Sequence, residues 1–186
     1  MNDGPLQQLY DRLPELTGPV WWFADEQVSG GLPAARGDCH VFSNRCDTAH
    51  ALSAEGFSVS LGDYDVPATL EAPPQTIVYR VSKERPLVNM LINAAMSALP
   101  VGGRLLLSGY KNDGVKGYAD KAAKVFDASR HIEKCDAGAY VATLTKRGES
   151  DATLPDKDYR QLRLIHESPA MYSKPGIYGW QKIDRG

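Results

Sequence analysis

The stretch Lys83–Gly109, KERPLVNMLINAAMSALPVGGRLLLSG, contains the features that decide the fold. Apolar residues recur at helical spacing over Pro86–Leu99 and form a broad stripe, which predicts a helix buried on much of its circumference. Pro100 and Gly102–Gly103 end that helix. They lead into Arg104–Ser108 (RLLLS), a continuous apolar run typical of a strand covered on both faces. A buried helix followed by a buried strand indicates a parallel sheet with helices packed on it.

Short apolar runs and helical periods alternate along the rest of the chain. Helical periods predict a short leading helix that contains Leu6 and Leu13, a helix over Thr48–Glu55 with Asp47 as its N-cap, and a helix over Val115–Phe126. On the last of these, Lys116, Asp120 and Lys124 stand at i,i+4 spacing and are expected to pair. Strands are predicted at seven runs: Val20–Ala24, His40–Ser43, Phe57–Leu61, Ile77–Val81, Arg104–Ser108, His131–Cys135 and Ala139–Thr145.

The order of these elements predicts the fold class. The last two runs flank Asp136–Gly138, a short link typical of a β-hairpin. We therefore predict an α/β fold with a mostly parallel seven-stranded sheet that ends in an antiparallel hairpin. Trp21 and Trp22 are adjacent in the first strand and must point to opposite faces, so both are buried only if this strand is central.

The length of 186 residues fits one domain and a remainder too small for a second core. We assign residues 1–147 to the domain and residues 148–186 to a linker. Gly148–Asp158 is polar and poor in strand formers, as in a loop that leaves a domain. Tyr159–His166 is compatible with a short strand or a turn, and Tyr172–Gly186 shows no period.

Charge is distributed unevenly along the chain although its total is small. Lysine and arginine number 21 and aspartate and glutamate 23, a net charge of −2 that gives no sign of a nucleic-acid partner. Residues 1–75, however, carry a net charge of −8, and residues 76–134 carry a net charge of +5. Such segregation suggests an anion-binding face in the middle of the chain, unless the segments interleave in space.

The cysteines point to a reducing compartment. Cys39, Cys46 and Cys135 form no C-x-x-C pair, and the first residues lack the basic start and apolar run of a signal peptide. A cytoplasmic location is therefore expected. No apolar run approaches the roughly 20 residues that cross a bilayer, so we expect no membrane partner.

A metal site is not expected. Cys39, His40, Cys46 and His50 lie within twelve residues, but their spacing is wrong for a zinc knuckle. Buried thiols and surface histidines are the expected alternative. Cys135 has no partner nearby in sequence and is expected in the core rather than as a catalytic thiol.

Three stretches of the sequence resemble known methyltransferases. Leu99–Gly103 resembles the leucine-x-x-glycine-glycine run that opens the fifth strand of class I S-adenosylmethionine-dependent methyltransferases. Lys83–Lys146 more closely resembles the N-terminal domain of the ribosomal RNA small subunit methyltransferase C family, in which a degenerate methyltransferase-like half precedes a catalytic half. Tyr172–Gly186 resembles the linker that opens the catalytic half, because Asp184–Gly186 matches its aspartate-x-glycine step.

The resemblance implies a Rossmann-like sheet of the class I methyltransferase type. It also implies a parent enzyme that transfers a methyl group from S-adenosylmethionine to guanine N2 of 16S rRNA. The implied partners of this domain are the catalytic domain of the same protein and the small-subunit rRNA, and a homodimer is an open alternative.

The residues needed for methyl transfer are absent at three places. A methyl donor needs a glycine-rich turn after the first strand, and Asp25–Gly31 has glycines only at its end. Ser43–Arg45 stands where an acid would hold the ribose at the end of the second strand. Ser82–Pro86 stands where the catalytic half of the family has asparagine-proline-proline-phenylalanine. We therefore assign no catalytic and no cofactor-binding residue and expect no cofactor in this domain.

Four basic residues are candidates for contact with RNA phosphates. Gly109–Gly114 links the fifth strand to its helix at the carboxyl edge of the sheet, where open α/β folds bind ligands. Lys111 and Lys116 belong to this link and helix, and Lys83 and Arg85 follow the fourth strand at the same edge. Together they would position RNA without reading its sequence. The alternative is an ordinary βα turn in which glycine supplies a positive φ.

Two aromatic residues in the tail are candidates for an interdomain contact. Tyr178 and Trp180 lie in a segment without a core of its own. They either pack back on this domain or dock with a following catalytic domain.

Three functions remain open at this stage. The first is the non-catalytic N-terminal domain of an rRNA guanine-N2 methyltransferase. The second is a self-sufficient methyltransferase with an atypical cofactor loop at Asp25–Gly31. The third is a dimerisation module.

Overall fold

A computed structural model of the chain describes residues 3–28, 31–66, 70, 72–177 and 180. The main sheet has seven strands: β1 (Val20–Ala24), β2 (Cys39–Ser43), β3 (Ser58–Leu61), β4 (Thr76–Arg80), β5 (Arg104–Tyr110), β6 (Ala128–Lys134) and β7 (Ala139–Lys146). Their order is β3-β2-β1-β4-β5-β7-β6. The first five strands pair in parallel, and β7 runs antiparallel to both β5 and β6. The predicted α/β fold with its closing hairpin is confirmed.

Four helices cover the two faces of the sheet. They are α1 (Gly4–Arg12), α2 (Cys46–Ala54), α3 (Arg85–Ala98) and α4 (Val115–Val125). One core layer lies between the sheet and α3 and α4, and the other lies between the sheet and α1 and α2. Trp21 belongs to the first layer and Trp22 to the second. Both tryptophans are buried, as expected for a central strand covered on each side.

Two elements start earlier in the structure than the sequence predicted. The helix α2 starts at Cys46 with Arg45 as its N-cap residue, and no side chain caps it. Asp47 therefore lies inside the first turn, where it forms an ion pair with Arg45 at 3.1 Å instead of capping the helix. The strand β6 starts at Ala128, three residues before the predicted start, because pairing with the long strand β7 extends it.

The two glycines ahead of β5 are needed by the turn itself. Gly102 has a φ of 87°, which favours glycine. A Cβ on Gly103 would lie 2.9 Å from the Pro100 carbonyl oxygen, closer than side-chain carbons are found to oxygen. The leucine-x-x-glycine-glycine run thus serves the geometry of the sheet, and it would be required whether or not a cofactor binds.

A buried ion-pair cluster fixes α1 at the carboxyl end of β4. The Arg80 guanidinium lies 2.9 Å from the Asp3 carboxylate and 2.8 Å from the Asp113 carboxylate. Asp3 also caps α1 by accepting a hydrogen bond from the Leu6 amide at 2.8 Å. Because each charge is held by a partner, the cluster tolerates its burial.

Residues 151–158 are irregular, as expected of a loop, and they run along α3. The Asn93 side chain donates to the Leu154 carbonyl at 2.9 Å and accepts from the Leu154 amide at 2.8 Å. Leu154 and Tyr159 are both buried in the core layer of α3. Whether the domain ends at residue 147 stays a prediction.

A second, small sheet follows this segment. Its strands β8 (Arg163–Glu167) and β9 (Ala170–Ser173) pair antiparallel. The sequence prediction allowed a strand near Tyr159–His166 but missed β9. β9 is only four residues long and three of them are exposed, so it has no buried alternation for a sequence prediction to detect. The register shift between Leu164 and His166 lies in β8.

Among the residues that the structure describes, no helix is both long and apolar enough to cross a membrane.

Candidate functional site

The carboxyl end of β1 is the place where a methyl donor would need a glycine turn. Asp25 follows this strand directly and is only 2% exposed. One of its carboxyl oxygens accepts a hydrogen bond from the Gln27 amide at 3.0 Å. The other oxygen is buried and has no hydrogen-bond partner among the described residues. Burial raises the pKa of Asp25 to about 7.

The space beside the ends of β1 and β2 contains the ring of Tyr64. This side chain is 1% exposed and lies 6.0 Å from the Phe23 ring, measured between centroids. Its hydroxyl donates to the Asn44 side-chain oxygen at 3.2 Å and lies 3.3 Å from the Ala24 carbonyl oxygen. Asn44 stands where an acid would hold a ribose, and its side-chain oxygen accepts the hydrogen bond from the Tyr64 hydroxyl.

A C-terminal segment covers the same edge from outside. We name residues 159–176 the strap. Arg160 donates to the Tyr64 carbonyl at 2.9 Å and forms an ion pair with Asp65 at 3.2 Å. Lys174 forms a further ion pair with Asp63, which follows β3. The strap thus binds the loop after β3 at two charged positions.

Tyr159 is a buried aromatic residue of the strap. Its side chain is 2% exposed and belongs to the main core, and its hydroxyl lies 3.5 Å from the Glu84 carboxylate. Burial raises the pKa of Glu84. The strap therefore contributes core as well as surface contacts.

The residues after β4 are bound to one another. The Ser82 amide donates to the Tyr79 hydroxyl at 3.3 Å, and the Ser82 hydroxyl accepts from the Glu84 amide at 3.1 Å. No asparagine stands here to accept hydrogen bonds from a guanine amino group. These local hydrogen bonds stabilise the turn into α3, and none of them involves a group placed to recognise a base.

A small cleft of about 290 Å³ remains at this edge. Its lining includes Asn44, Asp63, Tyr159 and Lys174. Ligand pockets commonly have volumes of about 300–1,000 Å³, so the cleft is at the low end of that range. The residues present fit S-adenosylmethionine poorly. Asn44 stands where an acid would bind the ribose, and the cleft is lined by the Tyr159 ring and the Lys174–Asp63 ion pair.

The cysteine and histidine cluster does not form a metal site. Within the described ranges, no group of three or more His, Cys, Asp or Glu side chains lies close enough to hold a metal ion. Cys39 is buried as expected, and burial raises its thiol pKa to about 12. Cys46 is exposed and Cys135 half-buried, so the expectation of buried thiols was wrong for the first and only partly right for the second. His40 is half-buried between the hydroxyls of Ser58 and Ser60, at 2.9 and 2.8 Å, rather than on the open surface.

The four candidate RNA contacts are all exposed. Lys83 and Arg85 lie on the connection after β4, and Lys111 and Lys116 lie on the connection after the neighbouring strand β5 and at the start of α4. The Lys116 ammonium stands 4.1 Å from the centroid of the Tyr140 ring. The structure therefore places the four residues on adjacent connections at one edge of the sheet, and their contact with RNA stays a prediction.

The expected pairing of Asp120 with its helical neighbours is wrong. Asp120 instead forms an ion pair at 2.6 Å with Arg130 of β6, in a geometry that is not an aligned hydrogen bond. Lys116 and Lys124 are left without an acidic partner in the described part of the chain. The strand β6 was close enough to compete because α4 packs on it.

One of the two tail candidates, Trp180, lies among the described residues. Tyr178 lies outside the described residues. Trp180 is half-buried, and the Arg163 guanidinium lies 5.1 Å from the centroid of its ring. Large apolar side chains nearby are exposed in the β8–β9 region: Leu162, Leu164, Met171, Tyr172 and Ile177.

We name the space beside the carboxyl ends of β1 and β2 the donor crevice. Sequence reasoning missed Tyr64 and Tyr159 as the residues that fill it. Tyr64 stands among Gly62, Asp63 and Asp65 and was hidden in what reads as a polar turn. Tyr159 follows a polar loop. The sequence gives one weak signal, which is that a large aromatic residue in a polar connection often has a buried site elsewhere in the fold.

Comparisons with known proteins agree with this fold. A family model described as "Methyltransferase small domain N-terminal" matches residues 20–148. A solved structure of the T. thermophilus 16S rRNA N2 G1207 methyltransferase (RsmC), in complex with AdoMet and guanosine, has a TM-score of 0.71 and 20% identity. The match covers 97% of this chain and 49% of that chain, so this chain spans about half the length of that protein. A search of curated proteins finds no match.

Two further structures resemble the chain in fold alone. An rRNA methylase from Streptococcus thermophilus has a TM-score of 0.53 and 18% identity, over 80% of this chain and 99% of that one. A methyltransferase from Pyrococcus furiosus has a TM-score of 0.53 and 13% identity, over 78% and 84%. The sheet is thus that of a class I S-adenosylmethionine methyltransferase. Because the family model covers well over half of its residues, the chain belongs to the methyltransferase small domain N-terminal family.

Proposed function

We propose that this chain is the non-catalytic N-terminal domain of a 16S rRNA (guanine-N2)-methyltransferase. It supports the catalytic domain and positions rRNA, and it works in the cytoplasm. The observation that carries the proposal is the donor crevice, which is filled by Tyr64 and Tyr159 and closed by the Lys174–Asp63 ion pair. A domain that uses this space for its own core has no room for a methyl donor.

The proposal assigns S-adenosylmethionine to the catalytic domain of the parent protein. The fold supports this division, because the relative named RsmC is about twice as long as this chain and was solved with AdoMet and guanosine. The exposed apolar side chains around β8 and β9, with Trp180 and Tyr178, are proposed as the contact with that domain. Exposed apolar groups gathered in one region are typical of an interaction surface.

Lys83, Arg85, Lys111 and Lys116 are proposed to hold rRNA phosphates. Their exposure and their common edge support this role. Lysine acts as a mobile point charge, so such contacts would orient RNA and leave the choice of base to the catalytic domain.

Calorimetry with S-adenosylmethionine tests the absence of a cofactor. We expect no heat of binding to this chain, with a methyltransferase that carries a glycine-rich turn as the positive control. Micromolar affinity would contradict the proposal and favour the self-sufficient methyltransferase. The coding sequence beyond the codon for Gly186 tests the parentage. A strand, a glycine-rich turn and a later asparagine-proline-proline-phenylalanine run are expected there, and their absence would count against it.

Sedimentation of this chain tests the remaining alternative. The proposal expects a monomer, because the exposed apolar side chains around β8 and β9 are proposed to bind the catalytic domain and not a second copy of this chain. A stable dimer that is lost on Tyr172→Ser substitution would favour a dimerisation module instead.

A further inference from the structure

Gly117 in α4 has no role inside the domain. It is exposed, and a Cβ built on it would meet no atom within 4 Å. Its helical conformation is one that any residue adopts. Glycine in an exposed helix is less favourable than alanine, because it loses more backbone freedom on folding. Since no internal contact requires this glycine, the explanation lies in what approaches the helix from outside, and glycine permits close approach of another backbone.

Unpaired positive charges surround this position. Lys116, Lys121 and Lys124 are exposed on α4, and none has an acidic partner within the residues that the structure describes. The acid on this helix that could neutralise them, Asp120, is held by Arg130 at 2.6 Å. The Asp120 carboxylate is therefore paired with Arg130 and not with a lysine of α4.

One further lysine extends the surface onto the hairpin. Lys134 at the end of β6 pairs across the strands with Tyr140, so both side chains project from the same face of the sheet. The Tyr140 ring lies beneath the Lys116 ammonium at 4.1 Å. We name Lys116, Gly117, Lys121, Lys124 and Lys134 the α4 lysine face.

The chemistry of this face fits a polyanion with a narrow backbone. Lysine ammonium groups on flexible stems contact phosphates without demanding one geometry. A glycine between them leaves a flat place where a sugar and its phosphate reach the helix surface. An RNA strand presents regularly spaced negative charges along its backbone, and this spacing suits lysines that flank a glycine. A protein surface has no such regular row of charges.

We propose that the α4 lysine face binds the sugar–phosphate backbone of RNA, with Gly117 at the point of closest approach. This inference rests on the proposed function for the identity of the polyanion. It extends the contact from the carboxyl edge of the sheet, where Lys83, Arg85, Lys111 and Lys116 are proposed to bind, along the outer surface of α4.

Gly117→Ala separates this role from a structural one. Alanine improves the helix and meets no neighbour, so the Tm is expected to rise by about 2–4 °C. Affinity for a fluorescent 20-nucleotide RNA strand is expected to fall by about threefold to tenfold, as for a lost phosphate contact. Ser97→Ala, on the exposed surface of α3, is the matched control that raises helix propensity and leaves RNA affinity unchanged.

The double substitution Lys121→Ala and Lys124→Ala tests the charges. Affinity for the same RNA is expected to fall about tenfold in 0.1 M salt, and the slope of log K against log salt to decrease by about 1.4 for two contacts with a single strand. Lys157→Ala, an exposed lysine on the segment along α3, is the control and is expected to keep both values.

Unchanged RNA affinity in both α4 variants would overturn the inference, as would failure of the unsubstituted chain to bind RNA in 50 mM salt. If the α4 variants have no effect while Lys83→Ala and Arg85→Ala weaken binding, the contact is confined to the carboxyl edge. The non-catalytic role is tested separately by calorimetry with S-adenosylmethionine, so the two failures are distinguishable.

Discussion

At the carboxyl ends of β1, β2 and β3 the chain covers its own sheet, whereas beside β5 and α4 it leaves charged side chains in solvent. The first region contains Tyr64, Tyr159 and two ion pairs to the strap. The second contains lysines without acidic partners in the described part of the structure. Filling a ligand crevice stabilises the domain and removes a binding site, while unpaired charges contribute little to stability and remain available to a partner. Substitutions in the first region should therefore change stability, and substitutions in the second should change binding.

The largest effect is expected at the centre of the filled region. Tyr159→Ala removes a buried ring and leaves a cavity, so the free energy of unfolding is expected to fall by about 3–4 kcal/mol. Urea denaturation measures this, with Tyr159→Phe as a control that removes only the hydroxyl. A loss below about 1 kcal/mol would mean that the strap is not part of the core.

Removal of the charge at Asp25 is expected to have the next largest effect, and it depends on pH. The folded-state pKa of about 7 lies above the ordinary value of 3.8. Folding is therefore favoured by this group at low pH, and that contribution is lost as the pH rises from about 4 to 7. Asp25→Asn removes this loss. The variant is therefore expected to be more stable than the unsubstituted chain by up to about 4 kcal/mol at pH 8, and equally stable at pH 4.

Thermal unfolding between pH 4 and 8 checks this expectation. Asp47→Asn is the matched control, because that carboxylate is exposed and paired with Arg45. A difference between Asp25→Asn and the unsubstituted chain that does not change with pH would contradict the assignment.

The ion pair that closes the strap is expected to contribute less. Lys174→Ala leaves the Asp63 carboxylate near the surface, where water solvates it, so the loss is expected to be about 0.5–1 kcal/mol. Hydrogen exchange of the strap amides is the more sensitive measurement. In the variant we expect these amides to exchange faster than in the unsubstituted chain, whereas exchange in the β5–β7 pairing should not change. Equal exchange rates in the variant and in the unsubstituted chain would show that the Lys174–Asp63 ion pair does not hold the strap.

The smallest change in stability is expected in the open region. The double substitution Lys111→Glu and Lys116→Glu should leave the free energy of unfolding within about 0.5 kcal/mol, because the lysines have no acidic partner among the described residues. RNA affinity should fall strongly and its salt dependence should weaken. Unchanged affinity, or a large loss of stability, would remove the distinction between the two regions.

The fold could be predicted well from the sequence, for a physical reason that particular elements illustrate. Strands buried on both faces must be apolar throughout, so Val20–Ala24 and Arg104–Ser108 were recognisable without a partner. The helix over Pro86–Leu99 was recognisable because its buried stripe follows the helical period. The strand β9 was missed because it is only four residues long and mostly exposed, so burial imposes no alternation on it.

The sequence reveals which residues of a methyl-donor site are missing, but not which residues occupy the space. Missing glycines after β1 and the missing acid after β2 could be read directly from Asp25–Gly31 and Ser43–Arg45. The residues that occupy the space instead, Tyr64 and Tyr159, could not be read in this way. They are 95 positions apart in sequence and lie at the same edge of the sheet only because the strap returns there, where Arg160 binds the Tyr64 carbonyl.

By itself the sequence determined the order and type of the elements, since burial imposes a period on each of them. Only the tertiary structure decided which charges are neutralised. The acidic excess of residues 1–75 is reduced by Arg80, Arg160 and Lys174, which come from later segments. Asp120 binds Arg130 across elements instead of a lysine on its own helix. Ion pairing depends on distances between segments remote in sequence, and these distances are set only when the sheet assembles.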